Sequence, residues 1–396
     1  MQGLTARFPI KTEGSPRAPF AGKMEKNAGS LYTAVESFIP SLKVAFPPSS
    51  WLALLPSPST ASPTIPPSAS KYPFTISESL YTAFLDPRVP LSIAAAYAAA
   101  VHLLNSRCNG RPYYIATTRI FKVFVLLHNL FLAVYSLWTF IGMAGAIHRS
   151  IVTSRGVPGV VESLCKIRPE TRFEGVEIKE MEGGVGLWEE GLAFYGWLFY
   201  LSKFYEVLDT AIIIAKGKKS SLLQTYHHAG AMICMWAGIR FMSPPIWVFC
   251  IFNSLIHTLM YFYYTLSTVR VPVPNALKRS LTSLQITQFV VGGSLAALHL
   301  FVYFTPTTYL PGSLTEVAPS SSASASISNH GMPVDVTASG MVHCLSNPGE
   351  VWAVVANVVY LTPLTYLFVS FFVESYTKGG KTRRAAKATA FAEKST

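Results

Sequence analysis

Charge is what this sequence lacks most. Only 13% of its 396 residues are Asp, Glu, Lys or Arg, about half the roughly 25% of an average soluble domain. Cysteine is sparse too: Cys108, Cys165, Cys234, Cys250 and Cys344 show no metal-ligand or redox spacing, and two of them sit in apolar runs. A disulfide scaffold is therefore not expected. There is no glycine-rich nucleotide motif, since Gly183-Gly184 in MEGGVG has neither the spacing nor the strand-turn-helix setting of a phosphate loop. The opening MQGLTARFPIKTEG has no sustained apolar core before its first charges, so it does not read as a cleaved signal, and membrane insertion would fall to an internal span. No internal repeat is strong enough to use.

What the chain has instead is apolar bulk. Hydrophobic residues make up 50%, with 25 Phe, 19 Tyr and 7 Trp, and the mean hydropathy is +0.35. One large soluble core could hide some of this, but not several separate runs of helix-spanning length. With about 20 mostly apolar residues taken as a span, seven fall near 88–106, 121–145, 191–215, 222–240, 245–267, 282–304 and 351–373. Pro244-Pro245 breaks the fourth from the fifth. The first is short and alanine-rich.

The formal charge of +12 could suggest nucleic acid, but the basic residues cluster beside the apolar runs and at the C-terminus. Arg107, Arg111 and Arg119 lie between the first two spans, and Lys216, Lys218 and Lys219 between the third and fourth. Arg270, Lys278 and Arg279 follow the fifth, and the tail carries Lys378, Lys381, Arg383, Arg384 and Lys387. Between the sixth and seventh spans there is no Lys or Arg. Basic loops alternating with poor ones put the basic side in the cytosol, and an odd number of spans places the N-terminus opposite the C-terminus. The long segment 146–190, with six Lys/Arg and eight Glu, departs from this alternation, and long loops obey the rule less strictly. No nucleic-acid partner is expected; the bilayer is.

The organisation expected is an N-terminal region 1–87 with a Pro/Ser-rich linker at 55–73, a seven-helix domain 88–376, and a basic cytosolic tail 377–396. A Ser-rich insertion at about 311–345 is expected to be mobile, because such composition cannot build a core.

Polar residues inside the apolar spans carry the chemistry. In the third span, Lys203, Glu206 and Asp209 fall at i, i+3 and i+6, a spacing that keeps them to one sector of a helix. Buried charge is expensive and usually faces a bundle interior or wet cavity. One lysine with two acids can be structural glue, yet two acids exceed what glue needs. The fourth span opens SLLQTYHHAG, placing Gln224, His227 and His228 within little more than a turn. The fifth carries Asn253, His257, Met260, Tyr261 and Tyr264 as a stripe, and the sixth carries Thr282, Gln285 and Gln288. The tyrosines and glutamines can equally be interhelical hydrogen-bonding groups. Imidazole, with an ordinary pKa near 6.5, stays neutral at little cost and acts as base, acid or nucleophile.

At these residues the chain resembles the ELO family of fatty-acid elongases, the membrane very-long-chain 3-ketoacyl-CoA synthases. The likeness runs from about 190 to 290. Lys203, Glu206 and Asp209 fill the family's K-x-x-E-x-x-D pattern, and QTYHH stands for its H-x-x-H-H box, with Gln224 replacing the first histidine. N-x-x-x-H-x-x-M-Y is intact at Asn253, His257, Met260 and Tyr261, and T-x-x-Q-x-x-Q-F at Thr282, Gln285, Gln288 and Phe289. His128-Asn129 in the second span resembles a further polar pair. Each piece alone is weak; four in order are specific. A glutamine form of the box occurs in the family, and an amide cannot exchange protons readily near neutral pH, so Gln224 reads as a supporting group.

The resemblance implies an all-α polytopic protein, seven helices in an elongase-like barrel around an acyl tunnel, in the endoplasmic reticulum membrane with a cytosolic C-terminus. The tail AEKST has Lys394 but Glu393, an incomplete dilysine signal, so organelle residence rests on the resemblance. The implied reaction condenses long-chain acyl-CoA with malonyl-CoA, giving 3-oxoacyl-CoA, CoA and carbon dioxide, beside other elongation enzymes of the same membrane. No metal and no redox cofactor is implied. The roles expected are His227 as nucleophile, His257 taking its proton or sharing the activated position, and His228 and Asn253 steering the malonyl group. Glu206 and Asp209 would orient imidazoles, and Lys203 would partly neutralise them. Gln224, Tyr261, Tyr264, Gln285 and Gln288 would support the substrates, with Lys216, Lys218 and Lys219 near the CoA phosphates. Two alternatives are a di-iron desaturase or hydroxylase, for which nine histidines with a single adjacent pair are a poor supply, and a lipid-binding transporter, for which no inverted repeat is visible.

Overall fold

A computed structural model of the chain describes residues 41–52, 72–167, 186–305 and 341–378. Nearly all of the Pro/Ser-rich linker, Gly183-Gly184, most of the Ser-rich insertion and the tail beyond 378 lie outside the described residues. Helix α1 (Glu78–Leu85) leads into α2 (Arg88–Arg107), α3 (Arg119–Ser150) and the short α4 (Gly156–Cys165). A helical segment broken by a kink at Gly191, Trp188–Gly196, runs into α5 (Trp197–Tyr205) and α6 (Val207–Ala215). Then come α7 (Leu222–Arg240), α8 (Ile246–Thr268), α9 (Asn275–Leu298) and α10 (Pro348–Phe372).

Five of these, α2, α3, α8, α9 and α10, are long and apolar enough to cross a membrane. The expected third span is helical but segmented, with Glu206 as the turn between α5 and α6. The expected fourth span is α7, whose 19 residues include Gln224, His227 and His228, and these polar groups lower its hydropathy. Local chemistry sets the helix starts. Ser221 Oγ accepts from Gln224 N at 3.2 Å, and Thr118 Oγ1 accepts from Phe121 N at 3.2 Å. Asn347 Oδ1 accepts from Glu350 N at 3.0 Å, while Glu350 Oε1 accepts from Asn347 Nδ2 at 2.7 Å. Each cap satisfies amides that a helix start leaves bare, and Pro348 follows in the first turn, where a missing N–H costs nothing.

The helices pack as a continuous series of neighbours: α3 along α8, α8 on α9, α9 on α10, α10 on α7, and α7 on α2 and α5. The aromatic core centres on Trp188, Phe194, Trp197 and Tyr200, all fully buried. Large apolar side chains such as Ile120, Phe131, Val134 and Ile141 remain exposed along α3. An apolar face of this extent would be a liability in water and is ordinary against lipid. The molecule is a multi-span helical bundle, a polytopic membrane fold.

Three expectations change at the end of the bundle away from the basic loops. The expected sixth span to 304 stops at Leu298, and Val302–Phe304 forms strand β2, between β1 (Leu42–Val44) and β3 (Val342–His343) in an antiparallel sheet. The last residues of the expected mobile insertion, 341–345, are packed rather than loose, because β3 pairs Val342 with Phe304 and His343 with Tyr303. His343 lies buried, its ring nitrogens at 3.1 Å from the carbonyls of Leu345 and Leu300. Cys165 and Cys344 are joined in a disulfide across 179 residues of sequence. Spacing gave no hint of it, because only the packing of α4 against β2 brings the two together.

Candidate active site

Helices α5, α7, α8, α9 and α10 surround a narrow internal cavity. Phe199, Phe249, Phe252 and Phe289 give it an apolar wall. Lys203, His227, Asn253, Gln288, Asn357 and Tyr360 bring polar groups to that wall. The cavity is therefore mostly apolar, with a few polar atoms converging on it.

The charged part of the site is compact. Lys203 Nζ donates to Glu206 Oε1 at 2.7 Å and to Asn253 Oδ1 at 3.0 Å, and lies 4.1 Å above the Phe199 ring centroid. Ser202 Oγ donates to the same carboxylate oxygen at 3.0 Å. His257 Nδ1 stands 3.6 Å from it, too long for a good hydrogen bond but close enough for the carboxylate to flank the ring. The other oxygen, Glu206 Oε2, is buried with no partner, as are Gln288 Oε1 and Asn357 Oδ1. Buried unsatisfied acceptors are costly, and the two on the cavity wall, Gln288 Oε1 and Asn357 Oδ1, suit an arriving group that carries protons.

His227 and His228 diverge because adjacent helical residues point about 100° apart. His228 faces back along α7 to its neighbour four residues earlier, with Gln224 Nε2 at 2.8 Å from its Nε2. His227 faces the cavity and α10. Its Nδ1 lies 3.0 Å from Tyr360 Oη, and Tyr360 Oη donates to the His227 carbonyl oxygen at 2.9 Å. Lys203 and His227 both line the cavity, and Lys203 binds the carboxylate that flanks His257, which lies behind the cavity wall.

Asp209 was expected among these imidazoles, and the structure gives it another partner. Its oxygens take His128 Nε2 at 2.9 Å and Tyr261 Oη at 2.5 Å, with Tyr205 Oη 3.3 Å from His128 Nδ1. The turn at Glu206 separates α6 from α5, and Asp209 faces α3 and α8 in a second polar cluster. Tyr261 joins the two clusters, packing edge-on to His257 at 5.5 Å between ring centroids. Gln288 reaches the cavity, whereas Gln285 Nε2 turns to Met260 Sδ at 3.4 Å. Tyr264, 39% exposed, packs against Tyr261 and is not on the cavity wall. Lys216, Lys218 and Lys219 are exposed at the end of α6. Gly217 among them has φ +73°, and a Cβ there would collide with the backbone of Arg111, so only glycine fits this turn.

Sequence reasoning left out Tyr360, Asn357, and the Tyr97–Thr210 hydroxyl pair at 2.8 Å. Asn357 and Tyr360 sit at i and i+3 in the last span, the spacing that marked the other faces, and the same test applied to that span would have found them. Among the described residues, no three His, Cys, Asp or Glu side chains converge as a metal-binding group.

Comparison with known proteins follows the same residues. The chain is 28% identical to Long chain fatty acid elongase 1 of Caenorhabditis elegans over 50% of its own length and 62% of that protein's. It is 26% identical to Fatty acid elongase 2 of Trypanosoma brucei brucei over 69% of the chain and 82% of the relative. With human Very long chain fatty acid elongase 3, identity reaches 36% over 26% of the chain and 39% of the relative. No solved structure matches the chain. The family described as ELO: GNS1/SUR4 matches residues 82–384, a stretch that holds both polar clusters and the cavity, and the chain belongs to that family.

Proposed function

We infer that this chain carries out the condensation step of fatty-acid elongation, the function of its family, and that His227 is the nucleophile. It is an elongase-type acyltransferase. The observation that carries the assignment is the position of His227: it is the histidine on the cavity wall, beside Lys203 and Asn253, whereas His228 is engaged by Gln224.

In the first half-reaction a lone pair on the His227 ring attacks the thioester carbonyl. An N–C bond forms, the C–S bond breaks, and the imidazole's single N–H proton leaves with CoA as its thiol. In this reading His257, flanked by Glu206, takes up that proton as it leaves the ring. Malonyl-CoA then loses carbon dioxide, and the resulting enolate attacks the acyl carbon. A C–C bond forms, the C–N bond to His227 breaks, and the ring regains a proton from solvent. Lys203 and Asn253 stabilise negative charge developing near the cavity wall. Gln224 holds His228 in place.

The seven-span arrangement, the barrel and the acyl tunnel are part of this reading. The series of helix neighbours supports them, as does a cavity whose apolar wall extends from His227 past Met235 and Val248. Orientation follows from two opposite ends. Basic loops favour the cytosol, while a disulfide persists on the oxidising side of a membrane. The Cys165–Cys344 end is thus lumenal, and the C-terminus and CoA portion cytosolic, as for an enzyme of the endoplasmic reticulum.

The test is direct. The purified chain incubated with long-chain acyl-CoA alone should gain one acyl group by intact mass, on His227 by peptide mapping, and His227→Ala should gain none. Stoichiometric acylation of the alanine variant would move the nucleophile elsewhere, with His257 next in line. Carbon dioxide release from malonyl-CoA that depends on long-chain acyl-CoA separates this enzyme from a carrier.

A further inference from the structure

Every neutral imidazole has one N–H and one lone pair, and a nucleophilic role requires the lone pair to face the substrate. Tyr360 governs that choice at His227. Its phenol has a single hydrogen, which we assign to the His227 carbonyl oxygen at 2.9 Å because that atom can only accept. At the 3.0 Å contact with the ring, the phenol oxygen therefore acts as acceptor, and the donor is Nδ1–H. The lone pair then belongs to Nε2. One hydroxyl grips α7 at the main chain and the side chain of the same residue, which fixes both the ring's tautomer and its orientation.

The surroundings are shaped to keep that hydroxyl in place. A Cβ at Gly230 would collide with the Tyr360 ring, so the aromatic ring reaches α7 only because position 230 has no side chain. Tyr226 stacks on the other side, with ring centroids 5.5 Å apart and planes 27° apart, and its hydroxyl donates to the Tyr360 carbonyl at 3.2 Å. Gly230 and Tyr226 lie on α7, one turn or less from His227, so the helix that presents the nucleophile also builds the seat for its partner. At His228, by contrast, Gln224 occupies Nε2 at 2.8 Å.

We propose that Tyr360 is a positioning residue for acyl transfer, holding His227 as the Nδ1–H tautomer with Nε2 open to the cavity, and that Gly230 exists to admit it. The proposal rests on His227 being the nucleophile. It also gives Gln224 a role: by engaging Nε2 of His228, the amide leaves a single imidazole of the pair available to attack.

The experiment is single-turnover acylation of the full chain by long-chain acyl-CoA, followed by intact mass, with thermal denaturation in the same detergent. Tyr360→Phe keeps the ring and removes the hydroxyl. The limiting acylation rate should fall about 10- to 100-fold, the range that outer partners of a working imidazole command at metal sites. The half-saturating acyl-CoA concentration and the unfolding midpoint should stay near wild type. Gly230→Ala keeps the hydroxyl but displaces the ring, and should slow the same step should Tyr360→Phe fail to accumulate. Thr362→Val removes an exposed hydroxyl from the same helix and should change nothing. A Tyr360→Phe variant acylated at the wild-type rate overturns the proposal, as does one whose defect lies wholly in acyl-CoA saturation. Wild-type protein that takes up no acyl group overturns the histidine-nucleophile reading first and this proposal with it.

Discussion

Lys203 and Glu206 form the most demanding interaction in the molecule, and its replacement gives a sharp test. The two side chains are 3% and 2% exposed, with Nζ and Oε1 2.7 Å apart. Removing one partner of a buried pair strands the other charge and costs about 3–5 kcal/mol, whereas replacing both by neutral groups of similar volume is often close to neutral. In Lys203→Met, Glu206 keeps only Ser202 Oγ at 3.0 Å and the distant His257, and its second oxygen already lacks a partner. The folded-to-unfolded ratio should fall by roughly two to four orders of magnitude, at about 1.4 kcal/mol per tenfold. Glu206→Gln should lose a similar amount, since the buried Lys203 charge then keeps only neutral amide acceptors, Asn253 Oδ1 and the new amide oxygen. The double variant Lys203→Met/Glu206→Gln should recover most of the stability. Reversible unfolding of the purified protein in mixed micelles, titrated with denaturing detergent, closes the double-mutant cycle. Activity should remain low in all three, because the carboxylate beside His257 is gone or disarmed. A Lys203→Met protein as stable as wild type, or a double variant that loses the sum of the two singles, would refute the buried-pair account.

Two further outcomes follow from the second polar cluster and the disulfide. Asp209→Asn turns a double acceptor into one acceptor and one donor, so His128 or Tyr261 loses its partner; condensation should drop about 10- to 100-fold with the protein still folded. Activity above half of wild type, measured as acyl-CoA-dependent carbon dioxide release, would leave that cluster without a part in the reaction. Peptide mapping without reductant should recover a Cys165–Cys344 cross-link, and Cys165→Ser should expose Cys344 to an impermeant maleimide from the lumenal side. Labelling of Cys344 itself from the cytosolic side, mapped by peptide to separate it from the half-buried free Cys108, would invert the orientation given above.

Much of the bundle was legible because spacing within a helix is a local property. The polar faces of the third to sixth spans were read from i, i+3 and i+4 spacing, and Lys203, Glu206, His227, Asn253, His257 and Gln288 do lie in or beside one cavity. The break at Pro244-Pro245 falls where α7 ends and α8 begins, because proline chemistry acts on its own peptide bonds. The scarcity of charge and the length of the apolar runs pointed to a membrane protein before any contact was known.

Tertiary structure decided which polar groups meet. Asp209 shares a sequence motif with Lys203 and Glu206, yet it lies about 120° round the helix from Lys203 and meets His128 and Tyr261, and no local pattern says which helices pack against each sector. Cys165 and Cys344 are 179 residues apart. Composition assigned Cys344 to a loose insertion, but strand pairing of Val342–His343 with Val302–Phe304 holds it in place. Tyr360 comes from the last span, and its hydroxyl reaches His227 only because Gly230 leaves room on a different helix. Hydrogen-bond partners separated by more than a hundred residues follow from packing, and packing is a property of the whole chain.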